Sequence, residues 1–431
     1  MMKQTLLRNM TFLALCLALS ACAGTKDKTP QSPAARTQGE DASAKPAPKA
    51  AVNYNVDAVN TVIEASGAIE QALAEADAGN SKGAIAELQE VVKRSPKAFL
   101  AHYNLGMLHE RLGETQAARD AYEQALRAEP NYSPALLNLV RLDIREGNPS
   151  AALSTANRYL QQNPNNFDHH YARLEALVAN GQFDDAVGSI RTLLKSDEAN
   201  PTLRYYLAKA EYARGRMRLA DFIISESLEI APQDADALFL RAKIHHALSQ
   251  DDISLVPGIA TILDEVLQLS PDHVEALWMR GVIFYEANNI DRAEAYFRRV
   301  IALSPKLVEG YINLANALKT NNRGPEAEQH LKHAAGLSPK NGDIDFAFGT
   351  LYFNIELIEL PGMKDMDRLK LAKTYFEAAA SHWTDKADIA LARRFIKTTD
   401  DAIETLQMML DAESLFAVPP PEDEETSLTV D

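Results

Sequence analysis

Between residues 99 and 130, apolar residues recur at three- and four-residue spacing in two short runs separated by a turn. Apolar residues at this spacing share one face of an α-helix. We therefore predict two amphipathic helices joined by a tight turn. The residue types that characterise this stretch occur at Leu105, Gly106, Gly113, Ala118, Tyr122, Ala125 and Pro130.

The same kinds of residue return along the chain with a period of 34. Prolines, which cannot continue a helix, end successive apolar runs at Pro96, Pro130, Pro164, Pro232, Pro271, Pro305 and Pro339. Neighbouring members are 34 residues apart, except that one step is two periods and another is one period plus five. Such recurrence indicates a repeat array rather than separate globular domains.

Two further positions keep this phase. One carries a residue that readily adopts the left-handed conformation: Gly79, Gly113, Gly147, Gly181, Gly215, Asn288 and Asn322. Five residues later comes an alanine, at Ala84, Ala118, Ala152, Ala186, Ala220, Ala293 and Ala327. We predict a tight turn at the first position and close packing of two helices at the second.

A 34-residue period with Leu-Gly in the first helix, Ala and an aromatic residue in the second and a closing Pro resembles the tetratricopeptide repeat (TPR). The resemblance covers about three quarters of the chain and implies an all-α superhelical solenoid of about nine helix-turn-helix repeats. We expect this array at 54–387, with a capping helix at 388–412. Residues 99–132 match best, and the first repeat, at about 65–98, is weak in its first helix.

The first 21 residues have the features of an export signal. Lys3 and Arg8 precede an apolar stretch at 10–19 that is too short to span a bilayer as a mature helix. The sequence Leu-Ser-Ala-Cys that ends at Cys22 resembles the bacterial lipobox. That resemblance implies a signal peptide at 1–21, cleavage after Ala21 and lipidation of Cys22 with acyl chains such as palmitate. The alternative is an ordinary secretory signal that contains a cysteine.

The residue after Cys22 is Ala23 and not Asp. By resemblance to enteric lipoproteins, this favours the outer membrane, facing the periplasm, over the inner membrane. Residues 22–53 are rich in Pro, Ala, Ser and Lys and lack large apolar side chains, so we predict a disordered tether. Residues 413–431 are predicted to be an acidic, disordered tail.

Charge and cysteine usage exclude several classes of function. The formal net charge is −16, which argues against a general nucleic-acid binder because such a protein needs a basic surface. The two cysteines, Cys16 and Cys22, both lie at the N-terminus, so no later disulfide or thiolate metal site is possible.

Histidine and carboxylate patterns give no catalytic motif. The pairs His169-His170 and His245-His246 point about 100° apart on a helix, and so do not chelate from one face. His330 and His333 share a face, but their neighbours supply no clear third ligand. There is no phosphate loop or nucleophile elbow, and we interpret all carboxylates as surface charges of helices. We expect no enzyme activity, metal, cofactor or small-molecule substrate.

The TPR resemblance implies a concave groove lined by the first helix of each repeat. Large aromatic or apolar residues occupy the fifth place of each repeat, and residues four and seven further along share their face. The candidate groove residues are Tyr103, Met107, Arg111, Arg141, Arg145, Tyr171, Tyr205, Lys209, Tyr212, Phe239, Lys243, Trp278 and Tyr285. Aromatic and Arg side chains suit an extended peptide or a helix with acidic residues. The alternative is that the fifth-place aromatics only pack on the next repeat.

The carboxylate-clamp pattern of chaperone-binding TPRs is absent, because Tyr103 and Met107 stand where it requires Lys and Asn. By analogy with TPR lipoproteins, we hypothesise a lipid-anchored periplasmic scaffold that binds protein partners in an envelope-spanning machine, for gliding motility or type IV pilus assembly. The alternative is a non-catalytic regulator of cell-wall or lipopolysaccharide enzymes.

Overall fold

The computed structural model describes residues 54–164, 166–354 and 363–416. In these ranges the regular elements are nineteen α-helices and a short 3-10 helix at Ile253–Leu255, with no strand. The proposed signal peptide and tether, including Ala21 and Cys22, lie outside the described residues, as does the tail after residue 416.

The helices form the whole described architecture. In chain order they are α1 Val56–Asp77, α2 Ser81–Arg94, α3 Phe99–Arg111, α4 Thr115–Ala128, α5 Ser133–Arg145, α6 Pro149–Gln162, α7 Phe167–Ala179, α8 Phe183–Leu194, α9 Pro201–Ala213, α10 Met217–Ile230, α11 Ala235–Leu248, α12 Val256–Leu269, α13 Val274–Glu286, α14 Ile290–Leu303, α15 Val308–Thr320, α16 Gly324–Leu337, α17 Gly342–Phe353, α18 Asp365–His382 and α19 Lys386–Phe416. Consecutive helices make nine helix-turn-helix pairs, and α19 follows them. The all-α prediction is confirmed.

The turns inside the pairs have the predicted backbone conformation. Gly79, Gly113, Gly147, Gly181 and Gly215 have φ between 69° and 93°, and Asn288 and Asn322 have φ of 57° and 58°. These values lie in the left-handed region, which Gly adopts without strain and Asn tolerates better than most residues. The turn prediction is therefore confirmed at all seven positions.

The alanines five residues after each turn are buried without exception. Each of the seven has zero exposed surface. In the second pair the contact is closer still, because a Cβ placed on Gly106 would lie 2.4 Å from a ring carbon of Tyr122. Small residues on one helix thus let the paired helix approach, as we predicted.

The side chains that cap the N-termini of helices also recur at equivalent positions of the repeats. The side chains of Asn166, Asn200, Asp234 and His273 accept hydrogen bonds from backbone N–H groups of the helices that follow, at 2.9–3.3 Å. Such caps satisfy N–H groups that have no partner within the helix. This capping position also belongs to the repeat, although the sequence reading did not identify it.

Close packing divides the described chain into two compact units. The N-terminal unit comprises 54–280 with 299–306, and the C-terminal unit comprises 281–298 with 307–416. The core of the N-terminal unit is built from aliphatic side chains, small residues and a few buried tyrosines such as Tyr122 and Tyr206. In the C-terminal unit, Phe346 packs against Phe376, Trp383 and Phe395 with ring centroids 5.1–5.4 Å apart.

The structure differs from the sequence-based expectation in three respects. Helix α1 begins at Val56 rather than near residue 65, and α19 extends two residues before and four residues beyond the expected 388–412. The interpretation of all carboxylates as surface charges is wrong, because Glu129, Asp143 and Glu175 are at most 8% exposed. Neighbouring cations or backbone N–H groups stabilise them. In the described part of the chain, no helix has the length and apolarity needed to cross a bilayer.

Candidate functional site

One position recurs on the first helices of five successive pairs in the N-terminal unit, and it is charged in four of them. Its residues are spaced by 34 and lie on α3, α5, α7, α9 and α11: Met107, Arg141, Glu175, Lys209 and Lys243. We call these five residues the groove ladder. The Lys209 amine lies 2.5 Å from a Glu175 carboxylate oxygen, so these two neighbouring rungs touch. All five rungs come from equivalent positions of successive repeats.

The groove is narrow enough for its walls to meet. Arg141 on α5 lies 3.5 Å from the carboxylate of Asp236 on α11, measured from Nη2 to Oδ2. These two helices are 95 residues apart in sequence at the contact. The ladder therefore lines a concave surface on which side chains from separate repeats reach each other.

Glu175 is the electrostatic centre of the ladder. It is only 8% exposed, and burial alone would raise its pKa. The positive charges of Lys209 and Arg141 outweigh burial, and the pKa of Glu175 is lowered. In turn, burial opposes the charge on Arg141, but the Glu175 carboxylate raises the pKa of Arg141 above its ordinary value. All three groups are therefore charged at neutral pH.

Lys243 is the exposed rung of the ladder, and like Lys209 it lies over aromatic rings. Its amine lies 5.5 Å from the ring centroid of Tyr212 and 5.8 Å from that of Phe239. The surrounding groove walls, and then the positive charge of Lys209, lower the pKa of Lys243. Among the described residues, no carboxylate lies within ion-pair distance of Lys243. This cation is thus available to an acidic ligand.

The fifth-place aromatics beside the ladder pack on neighbouring repeats and also keep an exposed edge. The ring of Tyr171 stacks on Tyr206 with centroids 5.8 Å apart, and Tyr205 meets the same ring edge-on at 5.1 Å. The Asn200 amide donates to the Tyr171 hydroxyl at 3.1 Å. Tyr171 and Tyr205 are nevertheless only half-buried. Their packing fixes their orientation, and their remaining surface faces solvent.

The other predicted groove residues on α3 and α5 are held by local contacts. Tyr103 packs against Tyr122 and Tyr132, and Arg145 forms an ion pair with Glu110. Met107 and Arg111 line a cavity of about 350 Å³, which is also bounded by Tyr122, Asn138, Asp272 and Leu303.

A contact beside this cavity joins distant parts of the N-terminal unit. The Lys306 amine donates to the Gly113 carbonyl at 2.6 Å, so residues 299–306 approach the turn between α3 and α4.

The last two predicted residues do not join the ladder cluster. Trp278 is 9% exposed, so it is a core residue rather than an open groove residue. Tyr285 belongs to the C-terminal unit, where its hydroxyl lies 3.1 Å from Thr320 Oγ1. At the equivalent position of the next repeat, Lys319 donates to Thr350 Oγ1 at 3.0 Å, and burial lowers the pKa of Lys319 to about 8.

Three residues of the cluster were missing from the predicted site. Glu175, Tyr206 and Asp236 hold the cations and the aromatics in place. The 34-residue spacing places Glu175 at the groove-facing position between Arg141 and Lys209, although Glu175 was not among the candidate binding residues. Tyr206 and Asp236 have no such signal, since their roles depend on contacts between repeats.

The histidines considered as metal ligands have other contacts. His169 is fully buried beside Tyr159, and His245 Nε2 lies 2.9 Å from Asp221 Oδ1. His330 and His333 lie against the ring of Tyr311, with centroids 6.1 and 4.6 Å away. Within 54–164, 166–354 and 363–416, no three His, Asp, Glu or Cys side chains are grouped as metal ligands.

Two sequence models described as tetratricopeptide repeat match this chain, one at residues 69–134 and 260–308 and the other at 111–178 and 177–244. Together they cover just over half of it. The chain belongs to the tetratricopeptide repeat family. Proteins built from TPRs serve as protein-interaction scaffolds, so the groove is the expected place for a peptide or protein ligand.

Two curated relatives of this TPR chain match it over part of their length. The CTR9 homolog of Arabidopsis thaliana is 21% identical over 306 residues, covering 67% of this chain and 28% of that protein. The human protein O-mannosyl-transferase TMTC3 is 22% identical over 265 residues, which cover 58% of this chain and 27% of that protein. The chain thus spans little more than a quarter of the length of either relative.

A solved TPR protein from Parabacteroides merdae is 16% identical and covers 62% of this chain and 98% of that one, with a TM-score of 0.39. At this level of identity the likeness concerns the fold alone.

Proposed function

We propose that the groove of the N-terminal unit binds an acidic segment of a partner protein. The observation that carries this proposal is the groove ladder. Its three cations, Arg141, Lys209 and Lys243, outnumber the two carboxylates in contact with them, Glu175 and Asp236. The surplus positive charge lies at Lys243, which is the cation that a ligand carboxylate can reach.

The environment of Lys243 favours a peptide over a free anion. Its amine lies over the faces of Tyr212 and Phe239, and Lys209 is similarly placed 5.7 Å from the centroid of Tyr205. A ligand with alternating acidic and apolar side chains would meet both the cations and the rings. Partial desolvation by the groove walls strengthens such charge pairing relative to an open surface.

The test is a titration of the chain with a dye-labelled synthetic Leu/Glu peptide, followed by fluorescence anisotropy. Lys243→Glu should weaken binding by about ten-fold or more, since it reverses the unpaired charge. The matched control is Lys82→Glu on α2, an exposed lysine outside the ladder. Equal affinity of wild type and Lys243→Glu, or an equal loss in Lys82→Glu, would contradict the proposal.

We also propose that this TPR adaptor is a lipoprotein, anchored through Cys22 in the outer membrane and facing the periplasm. The lipobox-like sequence before Cys22 and Ala23 at the next position support this assignment. Cys22→Ser should abolish incorporation of a palmitate analogue and release the protein from the membrane fraction. Ala23→Asp should shift it toward the inner membrane. Unchanged labelling of Cys22→Ser would contradict lipidation.

The partner complex we propose is an envelope-spanning machine, for gliding motility or type IV pilus assembly. The support is the combination of a sequence that resembles an export signal and lipobox with a long array of repeats of the protein-binding TPR type. Deletion should then abolish motility or piliation, and wild-type protein but not Lys243→Glu should restore it. The second candidate is a non-catalytic regulator of cell-wall or lipopolysaccharide enzymes, for which deletion would instead alter the wall or the envelope glycolipid.

A further inference from the structure

Helix α19 extends well beyond the helix that covers it. It has 31 residues, against 18 in α18, so their lengths are about 46 and 27 Å at 1.5 Å per residue. The two helices pack together at the start of α19, where Ala392 and Thr399 are fully buried. An ion pair at 2.7 Å between Lys373 and Asp400 marks the contact further along. Counted from this ion pair, the residues of α18 before Lys373 reach about residue 408 of α19, so α19 continues past its partner from about residue 409.

The apolar face of α19 continues through the half-buried Leu406 into this projecting part, which contains Met409 and Leu410. At 100° per residue, Leu406 and Leu410 lie on the same side as Ala392 and Thr399. Leu410 is 44% exposed and Met409, at the edge of this face, is 60% exposed. We call Leu406, Met409 and Leu410 the α19 stripe. It is an apolar surface of the kind that packs against another helix.

Acidic residues flank the α19 stripe on one side. Asp400, Glu404 and Asp411 lie within about 40° of one another around the helix. The sequence contains no Lys, Arg or His after Lys397, whereas ten Asp or Glu residues follow it. A second copy of the chain would bring like charges together on this surface. A basic partner would instead neutralise them.

We propose that the α19 stripe is a second interaction surface, which binds a basic amphipathic helix of a partner protein. The exposed Met and Leu side chains receive the apolar face of that helix, and Glu404 and Asp411 pair with its Lys or Arg side chains. Flexible Met side chains adapt to irregular apolar surfaces, which suits such docking. This surface is independent of the groove, since its ligand has the opposite charge.

The experiment uses the full chain with Cys22→Ser, titrated with a dye-labelled synthetic Leu/Lys peptide that forms a basic amphipathic helix. Leu406→Ser with Leu410→Ser should weaken binding at least about ten-fold without changing net charge. The matched control is Met408→Ser, because Met408 is 58% exposed but points about 160° away from Leu410. It should bind as wild type does. Binding of the Leu/Glu peptide should be unchanged in all of these variants.

A second pair of substitutions keeps the test decisive if Leu406→Ser disturbs the fold. Leu410→Ser alone, and Glu404→Lys with Asp411→Lys, replace only exposed side chains and should each weaken binding of the Leu/Lys peptide. Circular dichroism verifies that these variants are folded. The proposal is overturned if they bind as wild type does, or if Met408→Ser loses as much affinity as the stripe variants.

Two further results would assign the stripe to a different occupant. In sedimentation, a dimer that Leu410→Ser abolishes would show that a second copy covers this face. In the peptide-free protein, much slower peroxide oxidation of Met409 than of Met408 would show that the chain itself covers it. Either result would overturn the proposal. A monomer in which both methionines are oxidised at similar rates supports an open docking surface.

Discussion

The seam between the two helices of a pair and the groove ladder both follow the 34-residue period, but they use it in opposite ways. At the seam, the residue types complement one another: Gly106 meets Tyr122, Gly281 meets Phe297, and Gly349 meets Phe376. Along the ladder, an apolar residue, cations and an anion succeed one another. At the seam, the combined side-chain volume of the two residues is kept similar from repeat to repeat. At the ladder, only the orientation of the side chain toward the groove is kept, and its chemistry varies.

The seam rule extends to repeats without glycine. At the positions equivalent to Gly106 and Tyr122, buried pairs of small and large residues occur, such as Ala72 with Leu88 and Ala315 with Leu331. Leu174 with Ile190 is a departure, since both are large. The two helices of every pair must lie at similar distances for the repeats to stack. A larger side chain on one helix is therefore offset by a smaller one on the other.

The largest expected effect on stability comes from overpacking the seam between the two helices of a pair. Gly106→Ala places a Cβ about 2.4 Å from the Tyr122 ring, and overpacking of this kind should cost about 1–3 kcal/mol in the free energy of unfolding. Adding Tyr122→Leu recreates the Ala315/Leu331 combination and should restore part of the loss. Urea unfolding of both single variants and the double variant measures this coupling. Strict additivity of the two changes would contradict the seam rule.

The next prediction concerns the buried rung of the ladder. Glu175→Gln leaves Lys209 and Arg141 without their shared carboxylate and should reduce stability by about 1–2 kcal/mol. The matched control is Glu123→Gln, which removes an exposed ion pair with Arg127 and should change stability by less than about 0.5 kcal/mol. Equal losses in urea unfolding would mean that burial of the rung is unimportant.

The sign of the Glu175 effect with pH follows from its lowered pKa. The unfolded carboxyl titrates near about 4.3, and the folded one titrates below that value. The stabilisation is therefore fully present above about pH 4.3 and is lost as pH falls through the folded pKa. The stability difference between wild type and Glu175→Gln should shrink in this acidic range and be constant above it.

A third prediction concerns a polar residue in an otherwise apolar packing position. His169 is fully buried, whereas Ala135 and Leu203 occupy its position in the adjacent repeats. Burial lowers the pKa of His169, so the unfolded chain binds a proton near about pH 6.5 that the folded chain does not. Stability should fall below that pH, by up to about 1.4 kcal/mol per pH unit for this group.

His169→Phe should reduce this slope by the contribution of one proton. The residual slope belongs to other histidines with lowered pKa, including His102, His170 and His246. Thermal unfolding between pH 8 and pH 5 compares the two proteins. Parallel curves across that range would show that His169 is protonated equally in the folded and unfolded states.

The smallest expected effect is a stabilisation away from both the seam and the ladder. Gly188 lies inside α8, is exposed, and has open space where a Cβ would go. Gly188→Ala should therefore stabilise the chain by about 0.5–1 kcal/mol, since it removes the entropic cost of glycine in a helix. A loss of stability in urea unfolding would show that a glycine in this array is costly to replace even where space exists.

Much of the fold could be predicted because the period repeats local requirements. The positive-φ turns and buried alanines follow from Gly, Asn and Ala recurring in phase, and the structure confirms each of them. The length of α1 and α19 could not be predicted in the same way. Both helices lie at the ends of the described array, where the periodic signal fades and only one side packs against a described helix.

That the candidate residues bind a partner stays a prediction, and the sequence did not predict the pairing of their charges. The fifth-place residue is aromatic on α7, α9 and α11, and the residue four later is a cation on α5, α9 and α11. Trp278 is instead a core residue, and Tyr285 belongs to the other compact unit. Which cation remains without a carboxylate depends on contacts between side chains far apart in sequence, such as Arg141 with Asp236.

The sequence by itself determined the TPR fold, because each helical hairpin is specified by short-range geometry that recurs every 34 residues. Only the tertiary structure decided which charges are neutralised in the groove and which helix face projects uncovered. Packing of the repeats within the N-terminal unit brings Asp236 to Arg141, and α18 is shorter than α19. Both facts arise from distances between elements, and a one-dimensional pattern does not encode such distances.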